Sequence, residues 1–333
     1  YPDWLLLKCG DTWTNEVIST NWLLSGRSSS EKMLIGTYGS GNRPILLLTD
    51  KSGFRRQGGG AAPTTISHVA IVGLEFREYN KTPADTSTMI SIIKQVNDFL
   101  LEDVVTNGGG EGFLIQGESN TVRHQDVVIN RCMVVNANST KTDPRTQGMY
   151  AAYTNGLVIT DCLFDNNGYP TDDIFCHDIY IDANCGPTII ERNYIMRPCA
   201  NGIQARSGGT MRWNLFVDCP IAALSSNGNG TVTGQGVNTV DYNVIVSGQD
   251  ISASSLRGNG LDLQSFNSGS ARYNIIGQKV STNTNTGAAI SLSNSAAGAP
   301  FQNTEIAYNI IRNWYAGIVV DENNGTWTYS GVT

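Results

Sequence analysis

The chain has 333 residues, including 36 Gly and 10 Pro, and its 22 Lys and Arg against 29 Asp and Glu give a net charge of −7. That composition is too rich in Gly and Pro for a helical bundle and too aperiodic for collagen; at 15% charged residues it is no disordered polyelectrolyte either. The acidic balance excludes a general nucleic-acid binder, which needs basic surface against phosphates, and no apolar run is long enough to cross a membrane as a helix.

In chain order, the sequence opens at Tyr1 without a charged or apolar leader, leaving a processed start and a fragment as alternatives. Short segments then recur: Val72-Gly-Leu-Glu-Phe, Leu100-Leu-Glu-Asp-Val-Val, Ile129-Asn-Arg-Cys-Met-Val, Ile159-Thr-Asp-Cys-Leu-Phe, Ile190-Glu-Arg-Asn-Tyr-Ile, Met211-Arg-Trp-Asn-Leu-Phe, Val240-Asp-Tyr-Asn-Val-Ile, Ala271-Arg-Tyr-Asn-Ile-Ile and Ile306-Ala-Tyr-Asn-Ile-Ile. Their fourth positions form a column of Asp103, Cys132, Cys162, Asn193, Asn214, Asn243, Asn274 and Asn309, spaced by 29, 30, 31, 21, 29, 31 and 35 residues, with Leu74 another 29 earlier. After a turn, a second segment follows most of these, reading Gly-apolar-x-apolar-x: Gly112-Phe-Leu-Ile-Gln, Gly148-Met-Tyr-Ala-Ala, Asp178-Ile-Tyr-Ile-Asp, Gly202-Ile-Gln-Ala-Arg, Gly260-Leu-Asp-Leu-Gln and Gly317-Ile-Val-Val-Asp.

Alternation with period two means strand, and the bounding Gly, Asn, Asp and Ser supply turns. No ten-residue amphipathic helix lies between the segments, which removes folds built on helical crossovers. A period of roughly 30 residues without helices predicts a β-solenoid, all-β and of roughly nine to ten coils. Coils stacked about 4.8 Å apart bring residues of one column into contact, so the Asn column predicts a ladder of side-chain amides. The seven Cys include no CxxC. Two readings stay open for them: small buried packing residues, or one or two disulfides among Cys176, Cys185, Cys199 and Cys219.

The coil pattern and the Asn column, together with the opening Leu5-Leu-Leu-Lys-Cys-Gly-Asp-Thr-Trp and Ile35-Gly-Thr-Tyr-Gly-Ser-Gly-Asn-Arg-Pro, resemble the right-handed parallel β-helix of the pectate-lyase-like superfamily. The resemblance covers residues 1–333 as a single domain, with no N-terminal cap pattern before the first coil. It implies the fold but not an activity, since this scaffold carries lyases, hydrolases, epimerases, tailspikes and adhesins.

In the second segments the apolar residues point inward, so two outward columns are expected. One holds Leu114, Tyr150, Tyr180, Gln204, Ala223, Asp262 and Ser291; the other holds Gln116, Ala152, Asp182, Arg206, Ser225, Gln264, Ser293 and Asp321. Tyr150, Tyr180, Asp182, Gln204 and Arg206 fall on three consecutive coils, and His177 enters the same strand as Tyr180. Long turns walling this face carry Lys141 and Arg145, then Tyr169, Asp172 and Asp173, and loops of that kind build clefts. A uronic acid needs a cation for its carboxylate, supplied by Arg206. It also needs a base for the C5 proton, His177 or Tyr180, and an acid for the leaving oxygen, Tyr150 or Tyr180. Asp182 would orient His177 or Arg206, or help hold Ca²⁺. Gln204, Gln264, Asp262, Lys141 and Arg145 complete the expected sugar contacts.

Ile179-Tyr-Ile-Asp182 and Gly202-Ile-Gln-Ala-Arg206 are similar to two pieces of alginate C5-epimerases, but Ala183-Asn184 stands where that family has Pro-His. The Gly-His-Gly and Arg-Ile-Lys motifs of polygalacturonase-type hydrolases are absent. The expectation is therefore a secreted or cell- or virion-surface polysaccharide lyase acting on an anionic polysaccharide, with no nucleic-acid or membrane partner. Epimerase, hydrolase and binding-only roles are the alternatives.

Overall fold

The computed structural model describes residues 4–58, 64–80, 87–139, 146–168, 174–252, 255–277, 287–293 and 301–321. Among them there are strands and no helix. The strands lie in three sheets whose order follows the chain. The first sheet has eleven strands, from Leu5–Lys8 to Thr304–Ala307; the second has eleven, from Thr12–Thr14 to Ile310–Arg312; the third has ten, from Phe54–Arg56 to Ala316–Asp321. Each strand pairs in parallel with its counterpart in the next coil, as Val127 with Leu157 and Phe113 with Met149. This is the expected parallel β-helix. The coils that the sequence reading did not resolve lie before Leu74, where Gly53-Phe-Arg-Arg-Gln has Arg56 in place of the second apolar residue.

From Asp103 onward, the coils turn from the first sheet into the second on a single residue in the left-handed region. Asp103, Arg131, Asp161, Arg192, Trp213, Tyr242, Tyr273 and Tyr308 hold this corner, with φ between 51° and 59°. The conformation costs a residue with a Cβ roughly 1–2 kcal/mol, and the next residue compensates from inside. The Asn193 and Asn214 backbone N–H groups donate to the Oδ1 of Asn214 and Asn243 at 3.0 and 3.1 Å, and those of Asn243 and Asn274 donate to the Oδ1 of Asn274 and Asn309 at 2.9 and 3.0 Å. The side-chain Nδ2 of each donates to the same oxygen, and also to a carbonyl of a preceding coil. Cys162 and Cys132 continue the ladder, the Cys162 N–H donating to Asn193 Oδ1 at 2.9 Å and the Cys132 N–H to Cys162 Sγ at 3.3 Å.

One ladder member differs from expectation. Leu101 pairs with Ile129 and Val105 with Met133, which puts Asp103 on the corner and Val104 in the ladder position. The corner residues themselves stack outside: the Tyr242 and Tyr273 rings lie 4.9 Å apart at 11°, Tyr273 and Tyr308 5.0 Å apart at 8°, and Trp213 and Tyr242 6.4 Å apart at 34°.

The interior is filled by columns of apolar side chains, one per coil. Ile35, Ile71, Leu101, Ile129, Ile159 and Ile190 form one of them, and none is more than 1% exposed. Each such side chain contributes roughly 1.5–3 kcal/mol by leaving water. Cys132, Cys162, Cys185 and Cys219 are buried thiols rather than disulfide partners, so for these four the packing reading holds.

Candidate functional site

The third sheet carries the candidate site on its outer face. Register along the axis runs Arg55, Ser91, Leu114, Tyr150, Tyr180, Gln204, Leu224, Asp262 and Ser291. Beside this column, Gln116 lies next to Ala152 and Gln264 next to Ser293. Arg206 N–H bonds to Ile181 O, which sets Arg206 one coil beyond Asp182. One expected coil is shifted: Gln204 pairs with Leu224 and Ala205 with Ser225. Ala223 and Ser225 therefore point inward and are buried, with Ser225 Oγ donating to Asn238 Oδ1 at 2.9 Å. This segment has no leading Gly, and the strand enters the sheet one residue later.

Four of the expected residues cluster. The Tyr150 and Tyr180 rings meet edge to face at 5.3 Å. Arg206 is exposed and donates from Nη1 to Tyr180 Oη at 3.2 Å. Among the described residues no carboxylate forms an ion pair with it. Asp182 is nearby but occupied, its Oδ1 accepting from Asn184 N at 2.9 Å and Asn184 Nδ2 at 2.6 Å in a local turn of the Asx type. The Tyr180 hydrogen bond, with the surrounding phenols and Asp182, raises the Arg206 guanidinium above its ordinary value against the effect of burial. Burial, then Asp182 and Tyr180, hold the Tyr150 phenol well above the usual tyrosine range, so it stays protonated at neutral pH.

His177 does not join them. Its side chain is 1% exposed and lies under Tyr180, ring to ring at 5.4 Å and 80°. Its Nδ1 accepts the Asn201 N–H at 3.3 Å, and burial pushes the imidazole down to about 3. The reason is a second ladder at the corner entering this sheet, where backbone pairing skips Gly148 and Asp178. A side-chain acceptor there serves the next coil's N–H: Gln147 Oε1 takes His177 N at 2.9 Å, and Asn259 Oδ1 takes Ala288 N at 3.0 Å. His177 is a rung of this ladder, and its assignment as base is corrected accordingly.

Further along the face, Gln204 and Asp262 line a cavity of about 330 Å³ with Ser291, Ser293 and the exposed Phe175. Asp262 accepts from Ser293 Oγ at 3.3 Å and from Gln264 Nε2 at 3.4 Å. Lys141, Arg145, Tyr169, Asp172 and Asp173 lie outside the described residues. Among the described residues no three His, Cys, Asp or Glu side chains converge as a metal site, and Asp182 is a single carboxylate already engaged by Asn184.

Two residues of this face were missed. Arg55 occupies the Tyr150 column, in a strand led by Gly53 but carrying Arg56 where the other strands have an apolar residue. Glu111 sits on the corner ladder, accepting from Thr88 Oγ1 at 3.0 Å. Burial pushes its carboxyl up to about 8, from 4.5. The folded protein then keeps a proton that the unfolded chain releases, so this group's contribution to stability is present at acid pH and is lost as pH rises from about 4.5 toward about 8. Glu111→Gln is expected to remove that slope, read as urea midpoints across the same pH range.

Solved structures similar to this chain share its architecture. A surface protein and adhesin of Streptococcus pneumoniae aligns with TM-score 0.58 and 11% identity over 95% of this chain and 91% of that one. A family 28 exopolygalacturonase of Yersinia enterocolitica aligns with TM-score 0.55 and 12% identity over 99% and 72%. The fold they share with the chain is the right-handed parallel β-helix. At these identities the likeness establishes the β-helix and no activity. The chain spans 62% of the length of a GH136 lacto-N-biosidase from Eubacterium ramulus, with TM-score 0.46 and 12% identity. No protein-family model and no curated protein sequence matches the chain.

Proposed function

We propose that this β-helix is a polysaccharide lyase that cleaves a uronic-acid polymer by β-elimination on the outer face of its third sheet. The observation that carries the reading is Arg206: an exposed guanidinium with no carboxylate ion pair among the described residues, fixed by a hydrogen bond to Tyr180 and flanked by Tyr150. A planar fork of donors matches a carboxylate through two parallel hydrogen bonds. Binding the uronate carboxylate there withdraws charge from C5 and stabilises the carbanion-like transition state. Tyr180, held by the Arg206 hydrogen bond, is the base that takes the C5 proton. The C5–H electron pair becomes the C4–C5 double bond, the C4–O4 bond breaks, and O4 receives the proton that Tyr150 retains. Gln204, Asp262 and Gln264 bind hydroxyls of neighbouring sugars. Such polymers are extracellular, which is why this reading assigns the protein to a secreted or surface location.

The test is incubation with alginate, pectate and glycosaminoglycans while following the ultraviolet absorbance of an unsaturated uronate. Rising absorbance on one of them is the expected result. New reducing ends without absorbance would mean a hydrolase. Retention on a glycan column with neither signal would mean binding alone, a reading favoured by the withdrawal of His177 from the face.

A further inference from the structure

The sheet that carries Arg206 near its middle holds another outward-facing arginine, Arg55, on its first strand. From Arg55 the outward column passes through Ser91, Leu114, Tyr150 and Tyr180 to Gln204, the coil of Arg206. Those five inter-strand steps separate the two arginines by about 24 Å, at about 4.8 Å per step. Arg55 is half-buried. Its Nε is enclosed without a hydrogen-bond partner, and no ion pair reaches its guanidinium among the described residues.

A buried donor without an acceptor is destabilising, and few are left so in folded proteins without a use. Arg55 borders a cavity of about 350 Å³ lined also by Lys51 and by the hydroxyl-bearing Thr20, Ser52, Thr88 and Ser91. Asp50 lines it too, and its Oδ1 accepts from Thr49, so the two cations outnumber the carboxylate. Between this cavity and Tyr180 the outward columns present Ser91, Leu114, Gln116, Tyr150 and Ala152, none of them acidic. The nearby Glu111 carboxyl, bonded to Thr88, stays neutral up to about pH 8 through burial.

We infer that Arg55 and Lys51 form a second carboxylate subsite for the same uronic-acid polymer, so that chains long enough to reach from Arg206 to Arg55 are held at both ends. This rests on the uronate reading of the Arg206 site. Hydroxyl groups around the guanidinium suit a sugar acid, whose ring oxygens and hydroxyls accompany its carboxylate.

The experiment is calorimetric binding of trisaccharide and octasaccharide fractions of alginate and of pectate to the wild type, Arg55→Gln, Lys51→Ala and Arg206→Gln. For at least one polymer the wild type is expected to bind the octasaccharide about tenfold or more tightly than the trisaccharide, as one added charge-assisted contact allows. Arg55→Gln removes that gain and leaves trisaccharide affinity unchanged. Lys51→Ala, on an exposed side chain, reduces the gain in the same direction, which keeps the test open should Arg55→Gln not fold. Arg206→Gln weakens both lengths. If Arg55→Gln and Lys51→Ala bind the octasaccharide like the wild type while Arg206→Gln weakens both, the second subsite is overturned and the Arg206 site stands. If neither fraction binds the wild type, the uronate reading fails and the subsite with it.

Discussion

Arg206→Lys is expected to lose most turnover on a uronate polymer, by about a hundredfold or more, while its thermal midpoint stays within experimental error of the wild type. The reasoning separates what the guanidinium does for the fold from what it does for a ligand. For the fold it does little: it is exposed, and among the described residues its side-chain hydrogen-bond partner is the Tyr180 hydroxyl at 3.2 Å. A hydrogen bond of this kind contributes roughly 0.5–1.5 kcal/mol at most, and exposure lowers that figure. For a carboxylate it supplies two parallel donors and a charge that cannot be lost at working pH, whereas Lys supplies one compact point charge. Arg206→Ala should lose the same activity, with a stability change of about 1 kcal/mol or less. Steady-state rates on the polymer and a thermal melt of both variants decide the matter. If Arg206→Lys keeps wild-type rates, the bidentate role is wrong and the face binds its ligand by other means.

The largest stability effect expected outside the apolar core belongs to Asn243→Ala. The Asn243 side chain accepts from the Asn214 backbone N–H at 3.1 Å and from Asn214 Nδ2 at 3.0 Å, and it donates to Met211 O and Asn274 Oδ1, both at 3.0 Å. All four groups lie in a dry interior, with Asn243 fully buried. Truncation takes the side-chain partner from the Asn214 N–H and from Met211 O, at about 1–3 kcal/mol for each unsatisfied group, while Asn214 Nδ2 keeps Ile190 O and Asn274 Oδ1 keeps the Asn243 backbone N–H. A total loss of about 3–5 kcal/mol follows once relaxation is allowed for. Asn243→Cys should fall between, because a sulfur in this column already accepts a backbone N–H at Cys162. Denaturant midpoints of the two variants check the order. A loss below about 1 kcal/mol for the Ala variant would show that the ladder is incidental to the fold.

That ladder is also why the fold was legible in the sequence. A solenoid repeats one local environment in every coil, and a position that must bond to its own copy admits few residue types, so Asn193, Asn214, Asn243, Asn274 and Asn309 declare the period. The neighbour relation of Asp182 and Arg206 followed from the same register. The failures occurred where a coil departs from the repeat. Asp103 was placed one position off because no Asn marks that coil. Leu224 was hidden because the strand at Ile221 enters without a Gly. Arg55 follows Gly53 and Phe54 as the repeat requires, but Arg56 breaks the apolar alternation after it. His177 failed for a different reason. Period-two alternation describes a sheet interior, but at the corner the backbone pairing skips a residue, and side chains there turn inward to serve unpaired N–H groups. Only the three-dimensional count of backbone donors reveals that need.

The external stack of corner residues has an optical consequence. Tyr242, Tyr273 and Tyr308 hold their rings nearly parallel and about 5 Å apart, with Trp213 6.4 Å from the end of the row. Transition dipoles that close couple strongly, and light absorbed by the tyrosines passes down the row to the indole, which has the lower excited state. Four coils that are distant in sequence thus share one chromophore. Its coupled near-ultraviolet dichroism and its tyrosine-excited indole emission exist only while those coils are stacked, so their loss times the unwinding of the C-terminal half without any added label.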